Sequence, residues 1–560
     1  AVVMVAGGFI GTVVGATPFP PASPAAPPGP EGARPAQGAS GWGSGPPRRE
    51  TVQREGTGGG SAGGYVAPPV FPRPNLPPTP RWMLPACAAV GLLAALTLPY
   101  SDVGLGFVLV AVALGAAVLP VARRRITPWS AGLAVLAYAL VAMAMFRDAD
   151  WLVGPLLLAG FLLAALALSG AGRGWLGMAR GGASVLLGVL PVPWFLAAPV
   201  RDMSLRRRVV PVLLGGGLAL VLVLLFGSLF ASADPVFAKL VEQVFLAQDW
   251  AQSMPLRILL FAGFAVVAAS AVLVALRPVA QVPTPALRLT VSRGLWVIPL
   301  IALNLLFAVF VAMQVTVLFG STRWVVSAAG LTYAEYARSG FFQLVVVSVF
   351  VLAIVAVASW VIELRGRERW LMAGLLGLLC ALTVVVLASA LHRLDLYVDA
   401  YGFSRLRATV EAVIWWLGAV FALVLAAGAV RLTRHGRAGW LPRALVVTTG
   451  VALLAFAVWN PDLRVAETQV TIRGVGRLDQ EYLRDLGAEA VPALDRLPEP
   501  TRSCVLRNLV VVDRLLTPDP WNGWNLAREQ AREVLERRPY RTEVSCSPDS
   551  LSRLDIPSQN

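Results

Sequence analysis

"WLMAGLLGLLCALTVVVLASAL" (370–391) runs directly into "HRLDLYVDAYGFSRLR" (392–407), and these two stretches decide the fold. The first has 22 residues without a charge, which is long enough to cross about 30 Å of hydrocarbon as a helix. Only helices and closed barrels satisfy their backbone hydrogen bonds inside lipid, so a run of this length predicts a transmembrane helix. The second stretch places His392 among aspartates and arginines where such a helix leaves the bilayer.

Similar apolar runs continue between Trp82 and Trp459. With 370–391, they number eleven and lie at 83–100, 103–122, 128–146, 151–168, 209–230, 256–276, 294–319, 339–362, 370–391, 409–430 and 441–459. A further stretch, 183–200, is interrupted by three prolines and is expected to be re-entrant or interfacial, or else a twelfth span. Apolar residues make up 57% of the chain and charged residues 14%, a balance that excludes an ordinary soluble domain. The sequence therefore predicts an all-α polytopic transmembrane helical bundle in the cell membrane.

Arginine distribution predicts the orientation of this bundle. With eleven spans, nineteen arginines fall in the loops on one side, against eight Lys or Arg in the loops on the other. With twelve spans the counts become twelve and fifteen, and the asymmetry is lost. Since basic loops face the cytoplasm, the first count places the N-terminal tail inside and the C-terminal segment outside. The net charge of +15 is thus attributed to cytoplasmic loops that lie against anionic lipid, and no nucleic-acid partner is expected.

The chain divides into three expected regions. Residues 1–81 are rich in Pro, Gly and Ala and predict a disordered tail. Residues 82–459 form the membrane domain. Residues 460–560 are polar, with 14 Arg and 16 Asp or Glu, and their apolar positions at helical spacing predict a small helical extracytoplasmic domain.

Cysteine and histidine content limits the metal and redox chemistry. Cys504 and Cys546 share the polar C-terminal region, where they either pair in an oxidising compartment or stay as two free thiols. Cys87 and Cys380 lie inside apolar runs and are expected to pack as small hydrophobes. With two histidines and no CxxC motif, the sequence predicts no metal site and no cofactor.

Polar groups inside the spans are few. Asn304, Gln314 and Gln343 are strongly polar groups within the runs, and Glu411 lies near a run end. These amides are expected to form interhelical hydrogen bonds, with contact to a substrate as the alternative. Transport of protons or cations through the bundle is disfavoured because it requires buried ionisable groups.

Ionisable residues gather instead in the predicted outer loops. Together they form a candidate polar cluster: Asp234, Glu335, Arg338, His392, Asp395, Asp399, Arg405 and Arg407. His392, Asp395 and Asp399 share one helical face, and paired carboxylates with a histidine can perform general acid–base chemistry. The same spacing also suits an amphipathic helix end at the headgroups, which is the favoured interpretation.

Two of these acids also fit helix-capping roles. Asp234 precedes a proline and suits an N-cap. Glu335 follows Thr332 by three residues, as in a capping box. No GxxxxGK or HExxH motif occurs, so no catalytic residue is assigned.

Five stretches resemble a known family of bacterial membrane proteins. They are "LFGSLFASADPVF" (225–237), "LTYAEYARSGFFQL" (331–344), "HRLDLYVDAYGFSRLR" (392–407), "WNPDLRVAETQVTIRGVGRLDQEYLRDLGAEAVPAL" (459–494) and "DPWNGWNLAREQAREVL" (519–535). Together they resemble the domain-of-unknown-function family 4173, which is akin to family 4153. The resemblance implies a polytopic membrane protein without an assigned activity, and it transfers no catalytic residue.

Three hypotheses follow from these observations. The first is a cell-envelope binding or scaffolding protein that presents its outer loops and C-terminal domain to an envelope protein or a lipid-linked ligand. The second is a membrane-embedded transferase or hydrolase acting on a lipid-linked or envelope substrate. The third is a transporter of a neutral solute with a path past Asn304 and Gln314. The enzyme hypothesis requires the outer acids to converge in one cavity.

Overall fold

The computed structural model describes residues 77–170, 174–196, 249–277, 292–319, 341–361, 366–433, 439–472, 480–544 and 546, with isolated residues between 218 and 234. All of them belong to one compact unit, residues 70–560. They form helices and no strand occurs among them, so the all-α prediction is confirmed. The tail predicted over 1–81 and the run at 209–230 lie almost entirely outside the described residues.

The helices are numbered here in chain order. They are α1 Met83–Thr97, α2 Leu105–Ala122, α3 Pro128–Ala142, α4 Asp150–Ser169, α5 Trp175–Gly182, α6 Ser184–Gly188, α7 Asp249–Leu276, α8 Arg293–Phe319, α9 Phe341–Val361, α10 Glu368–Tyr401, α11 Arg405–Leu432, α12 Leu441–Trp459, α13 Pro461–Ile472, α14 Gln480–Arg484, α15 Val491–Leu494, α16 Thr501–Val512 and α17 Leu526–Arg537. Short 3₁₀ helices occupy Arg123–Arg125, Met143–Met145 and Ala488–Ala490.

Eight helices in the described part of the chain are long and apolar enough to cross a membrane. They are α2, α3, α4, α7, α8, α10, α11 and α12, and the shorter apolar helices Met83–Thr97 and Gln343–Ser359 accompany them. Together they cover ten of the eleven predicted runs. In the described part of the twelfth candidate segment, 183–196, the structure forms the five-residue helix α6, a turn at 189–191 and helical residues at 192–196, so no continuous helix runs through these residues. The protein is a multi-pass integral membrane protein.

The connections between these helices collect at two opposite ends. At the arginine-rich end, the Arg125 guanidinium donates to the carbonyl oxygens of Ala275 and Leu276, at 3.4 and 3.5 Å. Arg443 on α12 lies over the Trp129 ring at the same end. At the other end, helices α13–α17 contact the α1–α2, α3–α4 and α10–α11 connections. Residues 461–546 are called the C-terminal unit below.

Polar side chains inside the bundle join neighbouring helices. The Asn304 amide on α8 donates to the carbonyl oxygen of Leu375 on α10, at 3.1 Å. Gln314 Oε1 accepts from Ser389 Oγ at 3.0 Å and from the Arg393 guanidinium at 2.5 Å. The expectation of interhelical hydrogen bonds is confirmed for these two amides, and Arg393 is a further partner that the sequence analysis did not identify.

Close packing between α1 and α7 depends on one glycine. A Cβ atom at Gly91 would lie 2.5 Å from the carbonyl oxygen of Phe261. Because that neighbour is backbone, it cannot rotate away as a side chain would. Small residues permit this approach between membrane helices, where van der Waals contact replaces the hydrophobic effect as the driving force.

The substitution Gly91→Ala should therefore destabilise the bundle by about 1–3 kcal/mol, the usual cost of overpacking. Gly263→Ala in α7 is the matched control, because a Cβ there meets no atom within 4 Å. The midpoint of thermal unfolding in lipid nanodiscs should fall for Gly91→Ala and stay unchanged for Gly263→Ala. Equal unfolding midpoints for the two variants would show that close packing at Gly91 does not determine the stability of the bundle.

Candidate functional site

The last turns of α10 extend beyond the hydrocarbon. The helix has 34 residues and is roughly 51 Å long at 1.5 Å per residue, whereas the hydrocarbon is about 30 Å thick. His392, Asp395 and Asp399 lie on one exposed face of this extension, called the acidic face below. Asp395 is within electrostatic range of His392, Asp399 and Glu411. No hydrogen bond links the three side chains of the face within the described part of the chain.

Arg405 and Arg407, two of the three arginines of the predicted cluster, make contacts away from the acidic face. Gly402 ends α10 with a φ of 71°, a left-handed conformation that glycine adopts without strain. The Arg407 guanidinium donates to the Gly402 carbonyl oxygen and lies 4.1 Å from the centre of the Tyr397 ring. Arg405 turns toward the C-terminal unit. Both arginines therefore stabilise the α10–α11 turn and its surroundings.

Asp234, Glu335 and Arg338 are the remaining members of the predicted cluster. Asp234 is exposed, and its backbone N–H donates to the Phe230 carbonyl oxygen at 2.9 Å. Glu335 and Arg338 lie outside the described residues. Convergence of all eight side chains thus stays a prediction.

A buried ion pair connects Arg405 to the C-terminal unit. Its Nε donates to Asp462 Oδ1 at 2.9 Å, and the Asp462 side chain is almost fully buried. The Arg405 backbone N–H donates to the Tyr482 hydroxyl at 2.7 Å, and its guanidinium lies over the Trp151 ring. Arg405 thereby joins the start of α11 to α13 and α14.

A second ion pair lies between the C-terminal unit and the α3–α4 connection. The Arg528 side chain is only 2% exposed. Its Nε lies 3.1 Å from both Asp519 carboxylate oxygens, and its Nη1 donates to Asp148. Burial raises the pKa of Asp148, and Arg528 acts in the opposite direction by stabilising the carboxylate. Arg532 also binds Asp519, at 2.9 Å.

One asparagine fixes the same contact without charge. Asn525 is fully buried and caps α17, since its Oδ1 accepts from the Ala527 backbone N–H at 2.9 Å. Its Nδ2 donates to the carbonyl oxygens of Val103, Ala144 and Arg147, at 3.3, 3.0 and 2.9 Å. A single side chain thus bonds a backbone N–H at the start of α17 and backbone carbonyl oxygens in the α1–α2 and α3–α4 connections.

The loop before Asn525 also pairs with the ends of α1 and α2 through backbone atoms. The Leu105 N–H donates to the Trp524 carbonyl oxygen at 3.0 Å, and the Gly106 N–H donates to that of Asn522 at 2.6 Å. The Asn522 amide donates to the Thr97 carbonyl oxygen at 2.8 Å. This loop and the two ion pairs are called the junction below.

Glu489 is a buried carboxyl group at the junction. Its Oε1 accepts from the backbone N–H groups of Asp148 and Ala149 at 2.6 and 3.3 Å, while Oε2 has no hydrogen-bond partner. Burial, and then the charge of Asp148, raise its pKa to about 7. Burial likewise raises the pKa of Asp513 to about 7. Among the described residues, no group of His, Cys, Asp and Glu is arranged to hold a metal ion.

The C-terminal unit has its own core. Leu483, Val491, Leu506 and Ala531 are among its buried apolar residues. Arg502 is fully buried and binds Asp495 at 2.9 Å. The Sγ atoms of Cys504 and Cys546 are 2.12 Å apart, as in a disulfide, which attaches the end of the unit to α16.

The junction residues Asn525 and Arg528 lie outside the predicted polar cluster. The stretch 519–535 was quoted for its resemblance to a family, and Asn525 before an amphipathic run is a signal for an N-cap. Nothing in the sequence pairs Arg528 with Asp148, because 380 residues separate them. Apolar flanks around Glu489 were a signal of burial that was not used.

These features define a class of protein: a multi-pass membrane protein whose helical C-terminal unit is fixed to the ends of its membrane helices. The chain matches the family described as "Domain of unknown function (DUF4153)" over residues 133–497. The match covers more than half of the 560 residues, so the chain belongs to this family. The closer resemblance to family 4173 stays a prediction. No curated protein and no solved structure matches the chain.

The raised pKa of Glu489 predicts a pH-dependent stability. Since its pKa rises from 4.5 to about 7 on folding, the folded state holds the proton more tightly, and stability is lost as pH rises from about 4.5 to about 7. Glu489→Gln keeps an acceptor for Asp148 and Ala149 but cannot ionise. The variant should therefore be more stable than the parent at pH 8, by on the order of 2–3 kcal/mol, and similar at pH 5.

Thermal unfolding in nanodiscs at both pH values measures this difference. Glu533→Gln, at an exposed position of α17, is the matched control and should shift neither midpoint. A Glu489→Gln variant that is less stable than the parent at pH 8 would contradict the raised pKa of Glu489, because the ionised carboxylate would then stabilise the folded state.

Proposed function

We propose that this protein is a binding or scaffolding protein of the cell envelope. In this proposal it spans the cell membrane and presents the acidic face and the C-terminal unit outside. Two observations support the orientation. The arginine-rich end lies opposite the C-terminal unit, as the positive-inside rule requires. The bond between Cys504 and Cys546 suits an oxidising compartment.

The junction supports a binding role because it fixes the C-terminal unit in position. Arg405, Asn525 and Arg528 each bridge this unit and a membrane connection. A surface held in this way needs no ordering when a partner arrives, which lowers the cost of binding. The charged side chains that remain exposed at the nearby end of α10 are available for recognition.

The acidic face is the surface we assign to the partner. His392, Asp395 and Asp399 lie beyond the hydrocarbon and are exposed to solvent. The two carboxylates suit a cationic group on an envelope protein or on a lipid-linked ligand. This exposed face is the observation that carries the proposal.

The other two hypotheses have less support. The enzyme hypothesis requires the predicted outer acids to converge in one cavity, whereas Asp395 and Asp399 of α10 are exposed. A path for a neutral solute past Asn304 and Gln314 would compete with the hydrogen bonds that these amides make to α10.

Labelling of single cysteines tests the orientation. Glu536→Cys lies on the C-terminal unit, and Arg124→Cys lies at the arginine-rich end; both positions are exposed. A membrane-impermeant maleimide should label the first in spheroplasts, and the second only after the membrane is permeabilised. The reverse pattern would overturn the proposed orientation.

Removal of the acidic face tests the binding role. Protein with His392, Asp395 and Asp399 all changed to Ala, held in native-membrane discs, should retain its envelope protein or lipid-linked partner about tenfold less well, which corresponds to about 1.4 kcal/mol. The control is Glu368→Ala, at the opposite end of the same helix. Quantitative mass spectrometry of the retained proteins and lipids provides the measurement.

Three outcomes of this comparison differ in meaning. Loss of one retained component from the triple variant alone supports the proposal. Equal retention by the parent and both variants contradicts it. Conversion of a retained lipid-linked molecule by the parent, abolished by His392→Ala or Asp395→Ala alone, would instead support the enzyme hypothesis.

A further inference from the structure

The large apolar side chains that the C-terminal unit exposes lie in one short stretch of the chain. Among its described residues, 461–472, 480–544 and 546, the exposed large hydrophobic residues are Val511, Val512, Leu516 and Trp521, at 68, 66, 67 and 65% exposure. All four fall within eleven consecutive residues at the end of α16 and in the following loop. These four side chains are called the apolar ridge below.

The apolar ridge lies beside the ends of membrane helices. Asn522, the residue after Trp521, binds the Thr97 carbonyl oxygen at the end of α1, and its own carbonyl oxygen accepts from Gly106 at the start of α2. Asp513, the residue after Val512, is within electrostatic range of Asp150, the first residue of α4. The hydrogen bonds of Asn522 thus place the Trp521 part of the ridge at the ends of α1 and α2, and the electrostatic interaction of Asp513 places the Val512 part near the start of α4.

We propose that the apolar ridge inserts into the interfacial region of the lipid leaflet at this end of the membrane helices. The C-terminal unit is then a membrane-contacting cap, fixed to the protein by the junction and to lipid by the ridge. This inference does not depend on the proposed function or on which side of the membrane the unit faces.

Lipid is the occupant that the chemistry of this region favours. Tryptophan is enriched where the hydrocarbon meets the headgroups, and aliphatic side chains next to it are buried at the acyl boundary. Tyr100, in the α1–α2 connection three residues after Thr97, is 72% exposed and adds a second aromatic group near the end of α1. Arg514 is exposed between Val512 and Leu516, and its guanidinium can reach lipid phosphates while its stem lies along apolar surface.

A lipid-attached quencher tests insertion directly. An environment-sensitive fluorophore is attached to the full-length protein at Leu516→Cys, Trp521→Cys or, as the control, Glu536→Cys. Glu536 is exposed on α17, eleven residues from Asn525, or roughly 16 Å along the helix. Native cysteines do not interfere, since Cys87 and Cys380 are buried and the other two are bonded. Each protein is placed at one copy per nanodisc of phosphatidylcholine and phosphatidylglycerol, with and without lipid spin-labelled near the top of the acyl chain.

Fluorophores at the ridge positions should show blue-shifted emission. Spin-labelled lipid should quench most of their fluorescence intensity. The control position should show neither effect, and iodide in the buffer should quench it preferentially. Equal behaviour at all three positions would overturn the proposal. So would ridge positions that iodide quenches and lipid does not, because the ridge would then face water and be free for a soluble partner.

A second copy of this chain is the other possible occupant, and the single-copy nanodisc separates it from lipid. If blue-shifted emission appears only in discs that hold two copies, the ridge is a contact between copies and the lipid proposal is wrong. Val512→Cys provides an independent ridge position in case one labelled variant does not fold, and retention of the disulfide between Cys504 and Cys546 checks the folding of each variant.

Discussion

The structure depends on the pairing of charges that folding has removed from water at the junction. A buried arginine or carboxylate is tolerated when its hydrogen bonds and charge are satisfied, and breaking such a pair typically costs about 3–5 kcal/mol. The charge of Arg528 is paired with two carboxylates, Asp519 in the C-terminal unit and Asp148 in the α3–α4 connection. The charge of Arg405 is paired with Asp462. Each pair therefore specifies the position of the C-terminal unit on the membrane helices.

The bilayer imposes the other constraint, and the two act on the same residues. The end of α1, the start of α2 and the α3–α4 connection leave backbone carbonyl and N–H groups near the membrane surface, where they need partners. Asn525 and the loop before it provide these partners, so helix ends that water could have satisfied are bound by protein instead. The family match ends at residue 497, so Asn525 and Arg528 lie beyond the matched region while Asp148 lies within it.

This arrangement separates structural charges from available ones. Acids at the junction are held by arginines or backbone N–H groups, whereas His392, Asp395 and Asp399 remain exposed beyond the bilayer. The acids that lie beside a histidine in the sequence belong to the exposed acidic face. The acids at the junction are buried and paired, and they therefore attach the C-terminal unit to the membrane helices.

The sequence by itself determined the helical membrane architecture, the interruption of the segment that begins at 183, and the position of His392 directly after the apolar run of its helix. These properties follow from the length and polarity of local runs, since the hydrocarbon is a uniform solvent that each segment meets separately. Tertiary structure alone decided the partners of Arg405, Asn525 and Arg528. Asn525 and Ala144 are 381 residues apart, and a hydrogen bond over such a separation leaves no local pattern, because it exists only once the intervening helices have packed.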